Sequence, residues 1–166
     1  MATITFKGNP IRTVGDLPRP GAPAPEFHLV KTDLSPLSSK DLAGKQVVLN
    51  IFPSVDTSVC ATSVRRFNQE AAKVPDAVIV TVSKDLPFAL KRFCAAEGIE
   101  KVITTSDFRS DAFGKAYGTL IQDGPLAGLH ARAVVVIGKD GKVVHSELVP
   151  EIGNEPDYEK ALAALR

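Results

Sequence analysis

Three stretches of the chain are apolar at almost every position: VVLNIF (47–52), AVIVTV (77–82) and AVVVI (133–137). Strands covered on both faces have this character, whereas a half-solvated strand alternates. Between the first two runs the period changes. Cys60, Val64, Phe67 and Ala71 recur at steps of four, three and four, which is one face of a helix. After the second run, PFALKRFCAAEG (87–98) predicts another helix. Leu86, Leu90 and Phe93 form its apolar side, Cys94 borders it, and Gly98 closes it. Ser83 and Asp85, in SKDLP, read as its cap. VITT predicts a short strand. The third run leads through Asp140-Gly141, a strong hairpin signal, into VVHSEL. NEPDYEKALAALR predicts a final helix, with Asn154 as N-cap and Pro156 in the first turn.

At the N-terminus, Ile4 and Phe6 alternate with Thr3, Thr5 and Lys7. The turn Gly8-Asn9-Pro10 follows, and then IRTVG, so a β-hairpin is expected. The proline cluster LPRPGAPAPEF (17–27) reads as an extended connector leading to a short strand, FHLVK. Residues 105–131 are less regular, with a short helix at DAFGKAYG and a loop at IQDGPLAGLHA. Strand–helix–strand units finished by an antiparallel pair predict an α/β fold: a thioredoxin-like three-layer sandwich carrying an N-terminal β-hairpin. The length, 166 residues, predicts one domain over 1–166.

Composition narrows the function. Apolar residues make up 44%, charged residues 23%, and the net charge is +1. This balance argues against disorder and against nucleic acid or an anionic membrane as partner. No apolar stretch approaches the roughly 20 residues of a membrane helix, and the N-terminus lacks a signal-peptide pattern. A soluble, cytoplasmic protein is expected. Two cysteines without a C-x-x-C do not make a disulfide scaffold. His28, His130 and His145 lack metal-ligand spacing, so neither metal nor cofactor is expected.

The chemistry concentrates at PSVDTSVC (53–60), between the first apolar run and the first helix. Asp56, Thr57 and Ser58 are all N-cap types, and whichever caps, Cys60 falls in the first turn. There the helix dipole and unpaired N–H groups favour a negative sulfur. Arg65 and Arg66 are close in sequence. Arg132 is of more interest, because the fold can bring the third apolar strand beside the first. Lowering a thiol pKa from about 8.5 to about 6 is worth only about 2 kcal/mol of added thiolate at neutral pH. Enzymes lower barriers by about 8 kcal/mol or more, so a catalytic site must also hold a substrate oxygen. Arg132, the Thr57 hydroxyl and the first-turn N–H groups are the right donors for that. A buried structural cysteine accounts equally well for the position of Cys60 alone.

Pro53-x-x-x-Thr57-x-x-Cys60 resembles the peroxidatic motif of peroxiredoxins. The N-terminal hairpin, the stretch DGPLAGLHARAVVVIGKDGKV (123–143) and a second cysteine on the next helix extend the resemblance over essentially the whole chain. They resemble the thiol peroxidase subfamily, the atypical two-cysteine peroxiredoxins. The resemblance implies a peroxidase acting on hydrogen peroxide and organic hydroperoxides. In it, Cys60 is the peroxidatic thiolate that becomes a sulfenic acid, and Thr57 hydrogen-bonds sulfur and peroxide. Arg132 orients the thiolate, and Pro53 shields it. Cys94 resolves the sulfenic acid as an intramolecular disulfide, thioredoxin re-reduces it, and the subfamily usually forms homodimers, for which 108–129 is the candidate for part of the surface.

Two cysteines on separate helices need not approach within the roughly 7 Å that a disulfide requires between Cα atoms, so oxidation is expected to unwind helix locally. His130 either lines the pocket or is a satisfied loop residue. His28 and His145 read as structural. Phe88, Phe93, Leu120 and Ile121 form either an apolar rim for an organic peroxide or, as the default reading, core or oligomer contact. Two other functions fit the residues: a redox sensor or relay that passes a disulfide to a partner, and a binding module with inert cysteines.

Overall fold

The computed structural model describes residues 1–165. A β-hairpin comes first, β1 (Thr3–Phe6) and β2 (Asn9–Arg12). The rest builds a seven-stranded mixed sheet from β3 (His28–Lys31), β4 (Pro36–Ser38), β5 (Gln46–Ile51), β6 (Ala77–Ser83), β7 (Ile103–Ser106), β8 (Ala133–Ile137) and β9 (Val143–Leu148). Its strand order is β4-β3-β7-β6-β5-β8-β9. The helices are α1 (Ser58–Ala71), α2 (Pro87–Glu97), α3 (Ala112–Tyr117) and α4 (Tyr158–Ala163).

The three fully apolar runs are the three adjacent central strands. β5 and β6 pair in parallel, and β8 runs antiparallel on the other side of β5. Both faces of these strands are covered, which is why their sequences do not alternate. On one face Val48, Ile79, Val134 and Val136 meet Val64 and Phe67 of α1, Leu90 and Phe93 of α2, and Tyr158 of α4. On the other face Leu49, Ile51, Val80, Val82 and Val135 meet Phe27 and the stacked rings of Phe113 and Tyr117 from α3. Ile4 and Ile11 of the hairpin cap a smaller core with Ile121, Ala131 and Ile152. This is the expected three-layer sandwich with its hairpin.

Several local expectations shift. The last helix begins at Tyr158, and its cap is Asp157, whose side chain accepts from the Lys160 N–H. Asn154 instead closes a turn by donating to the Glu151 carbonyl, and Pro156 precedes the helix. The expected helix also extended to Arg166, which lies outside the described residues, as does that end of the 1–166 domain assignment. β4 and a tight helical turn at Ser39–Leu42 form where the sequence carried no periodic signal. Leu86 caps α2 by position only and is exposed. Among the described residues no helix is long and apolar enough to cross a membrane.

Candidate active site

β5 ends at Ile51, and the chain turns through Pro53 and Val55, both buried, before α1 begins. Thr57 is the residue that caps α1. Its backbone is extended (φ −93°, ψ 146°), and its Oγ1 accepts from the Cys60 backbone N–H at 3.3 Å. That satisfies a donor otherwise orphaned at the helix start. The same hydroxyl donates to the Ser54 carbonyl at 3.1 Å, so Thr57 grips the backbone of Cys60 and not its sulfur.

The first turn is also pinned from behind. Ser63 Oγ donates to the Cys60 carbonyl at 2.8 Å, and the Asn50 amide of β5 donates to Ser63 Oγ at 3.2 Å. All three residues are fully buried, so the helix start is fixed to the central strand below it.

Arg132 reaches the site because β8 lies against β5, with Ala133 opposite Ile51 at the strand end. Its Nη2 donates to Cys60 Sγ at 3.2 Å, and its Nε donates to the Ile152 carbonyl at 2.8 Å. Both Cys60 and Arg132 are buried, at 0% and 2% exposure. Arg132 Nη1 has no hydrogen-bond partner, and no carboxylate pairs with this guanidinium, among the described residues.

Cys94 is half-buried in the last turns of α2 and touches the same apolar core as Cys60. Its sulfur lies 3.3 Å from Thr104 Oγ1 on β7. Burial pushes its thiol up from the ordinary value, and the Thr104 contact opposes the shift. Both thiols are free. One sulfur contacts Thr104 of β7 and the other contacts Arg132, just before β8, and β6 and β5 lie between those two strands.

Four of the sequence candidates, Pro53, Thr57, Cys60 and Arg132, therefore gather at one strand-to-helix turn, while Cys94 stands apart. Asp85 is not a cap. It reaches back to the 54–55 backbone and side chain, a role with no signature in its local sequence. His130 is fully buried between Thr119 Oγ1 (2.9 Å) and Asp107 Oδ2 (2.6 Å), edge-on to Phe113, with no bond to Cys60. Phe93, Leu120 and Ile121 are core, and Phe88 is exposed, so these four do not make a rim. No group of three or more His, Cys, Asp or Glu among the described residues is placed to hold a metal ion.

The sequence profile of the redoxin family matches residues 19–162. The chain belongs to the redoxin family. It is similar to the thiol peroxidase of Mycobacterium tuberculosis, 62% identical over 165 residues and 99% of each chain. The thiol peroxidase of Corynebacterium glutamicum is 54% identical over the same share. Among solved structures, a peroxiredoxin-like protein from Aquifex aeolicus superposes with a TM-score of 0.93 at 41% identity, covering 98% of this chain and 95% of the other. The redoxin chain thus falls with the thiol peroxidases of the peroxiredoxins, as the motif around Cys60 implied.

Proposed function

We propose that this redoxin is a thiol-dependent peroxidase for hydrogen peroxide and organic hydroperoxides, with Cys60 as the attacking sulfur. The observation that carries the reading is the Arg132 Nη2–Cys60 Sγ contact of 3.2 Å between two buried side chains. A buried cation needs an anion or strong acceptors. No carboxylate pairs with this guanidinium among the described residues; its acceptors are the Ile152 carbonyl and the Cys60 sulfur, so it is placed to stabilise negative charge on that sulfur.

The Cys60 thiolate attacks the terminal oxygen of the hydroperoxide. The S–O bond forms, the O–O bond breaks, and the electron pair leaves on the distal oxygen, which takes up a proton as alcohol or water. Arg132 Nη1, buried without a partner, is the donor left over for an oxygen of the peroxide. Donors aimed at developing negative charge in a dry site are usually the largest contribution to such a step. Thr57 holds the Cys60 backbone at the helix start, and Pro53 covers the turn.

Cys94 then condenses with the sulfenic acid, releasing water and leaving a Cys60–Cys94 disulfide. Both thiols are free and meet different partners, Cys94 at Thr104 and Cys60 at Arg132, so closing the bridge takes movement of the segments that carry them. The first turn of α1, the end of α2, or both unwind. The bridge closes about 35 residues, worth about 3.8 kcal/mol in chain entropy. Unwinding offsets much of that, which keeps the bond reducible by thioredoxin, the proposed reductant. The test is turnover of hydroperoxide with thioredoxin and its reductase. The wild type turns over repeatedly and Cys60→Ser not at all; sustained turnover by Cys60→Ser ends the reading.

A further inference from the structure

The carboxylate of Asp85 ties the loop before Cys60 to the segment that leads into the Cys94 helix. Asp85 sits between β6 and α2, two residues before Pro87. Its Oδ1 accepts from Ser54 Oγ at 2.7 Å, and its Oδ2 accepts from the Val55 N–H at 2.9 Å and from Ser83 Oγ at 2.7 Å. Bonds to a carboxylate are among the stronger hydrogen bonds available. Two of these three donors belong to the stretch that sets where α1 begins. A second link between the same elements, Arg92 to Asp56 at 3.6 Å, has both side chains 68% exposed. Exposed pairs of that kind contribute little. The Asp85 bonds, partly buried, are the tie.

We propose that Asp85 is a positioning residue that clasps the Cys60 loop to the start of the Cys94 helix. While it holds, the Cys60 turn stays in register with Arg132 for peroxide attack. When the sulfenic acid has formed, release of the clasp is part of the opening that brings Cys94 to Cys60. Asp85 thus sets the balance between the closed, peroxide-reactive site and the open, disulfide-forming one. This rests on the two-cysteine cycle proposed above.

The two steps are read separately by rapid mixing with one equivalent of hydrogen peroxide. In a Cys94→Ser background only attack on Cys60 is observed. There Asp85→Asn is expected to slow attack about tenfold to hundredfold, the scale of a small misplacement at a reacting centre. With Cys94 present, the same substitution is expected to leave disulfide closure as fast as in the wild type or faster. Opposite effects on the two steps are not what simple loss of structure produces. Ser54→Ala, which removes one of the three donors, is expected to shift both rates the same way by less, and it decides the matter if Asp85→Asn does not fold. Attack at the wild-type rate in both variants, or equal slowing of attack and closure, overturns the proposal. Absence of any Cys60–Cys94 disulfide in oxidised wild type instead overturns the cycle itself, independently of Asp85.

Discussion

Arg132 holds Cys60 from outside its own segment: Nη2 touches the sulfur at 3.2 Å while Nε is anchored on the Ile152 carbonyl at 2.8 Å. The guanidinium is therefore fixed at one edge and presents the other to the thiol. A planar group with donors in a rigid fork can do both; an ammonium cannot.

Arg132→Lys is expected to keep the charge but lose that geometry. Loss of one preorganised donor typically costs about 10²–10³ in rate, and we expect a fall of that size in kcat/KM for hydrogen peroxide. Steady-state kinetics with a thioredoxin-coupled assay checks it. A variant within about threefold of wild type would show that charge alone suffices.

Thr57 acts through the backbone of Cys60. Thr57→Val removes the cap and is expected to cost about 1 kcal/mol of stability and about tenfold or more in the rate of Cys60 oxidation through loosened positioning. Thr57→Ser keeps the acceptor and should restore both. Thermal melts and single-turnover oxidation of the two variants distinguish a positioning hydroxyl from a dispensable one.

Much of this arrangement was legible in the sequence because it depends on local signals. The three apolar runs became β5, β6 and β8, and the four-three-four spacing of Cys60, Val64, Phe67 and Ala71 became the buried face of α1. The contacts that escaped are tertiary. Asp85 meets Ser54 across 31 residues and His130 meets Asp107 across 23, and nothing in the flanking residues announces either partner. The final helix was misplaced for a local reason: Asn154 and Asp157 are both good caps, and the choice between them turned on the Asp157–Lys160 bond. β4 was missed because three residues beginning with proline carry no period.

The half-buried thiol of Cys94 gives a pH dependence with a definite sign. Burial raises it, against the Thr104 contact. The folded chain therefore keeps this proton more tightly than the unfolded chain, so the contribution to stability is full below the unfolded thiol's value, about 8.5, and is lost as pH rises through the higher folded value. The melting temperature of wild type should fall more steeply than that of Cys94→Ser as pH is raised above about 8.5. Parallel curves would contradict the shift.

The homodimer expected from the family resemblance has a direct test at Phe108. This ring is 40% exposed, with the Arg109 guanidinium 5.5 Å from its centroid, at the start of the 108–129 region. Exposed aromatic and arginine side chains are enriched at protein interfaces. The wild type should sediment as a dimer, and Phe108→Glu should shift it toward monomer at micromolar concentration. Monomeric wild type would contradict the expectation.

The most direct test of the central claim is the stoichiometry of Cys94→Ser with hydrogen peroxide and no reductant, read by residual peroxide and by mass spectrometry of the peptide containing residue 60. Consumption of one equivalent, with a single oxygen gained on Cys60, is the predicted result. No consumption, or an oxygen gained elsewhere while Cys60 remains a thiol, would contradict it.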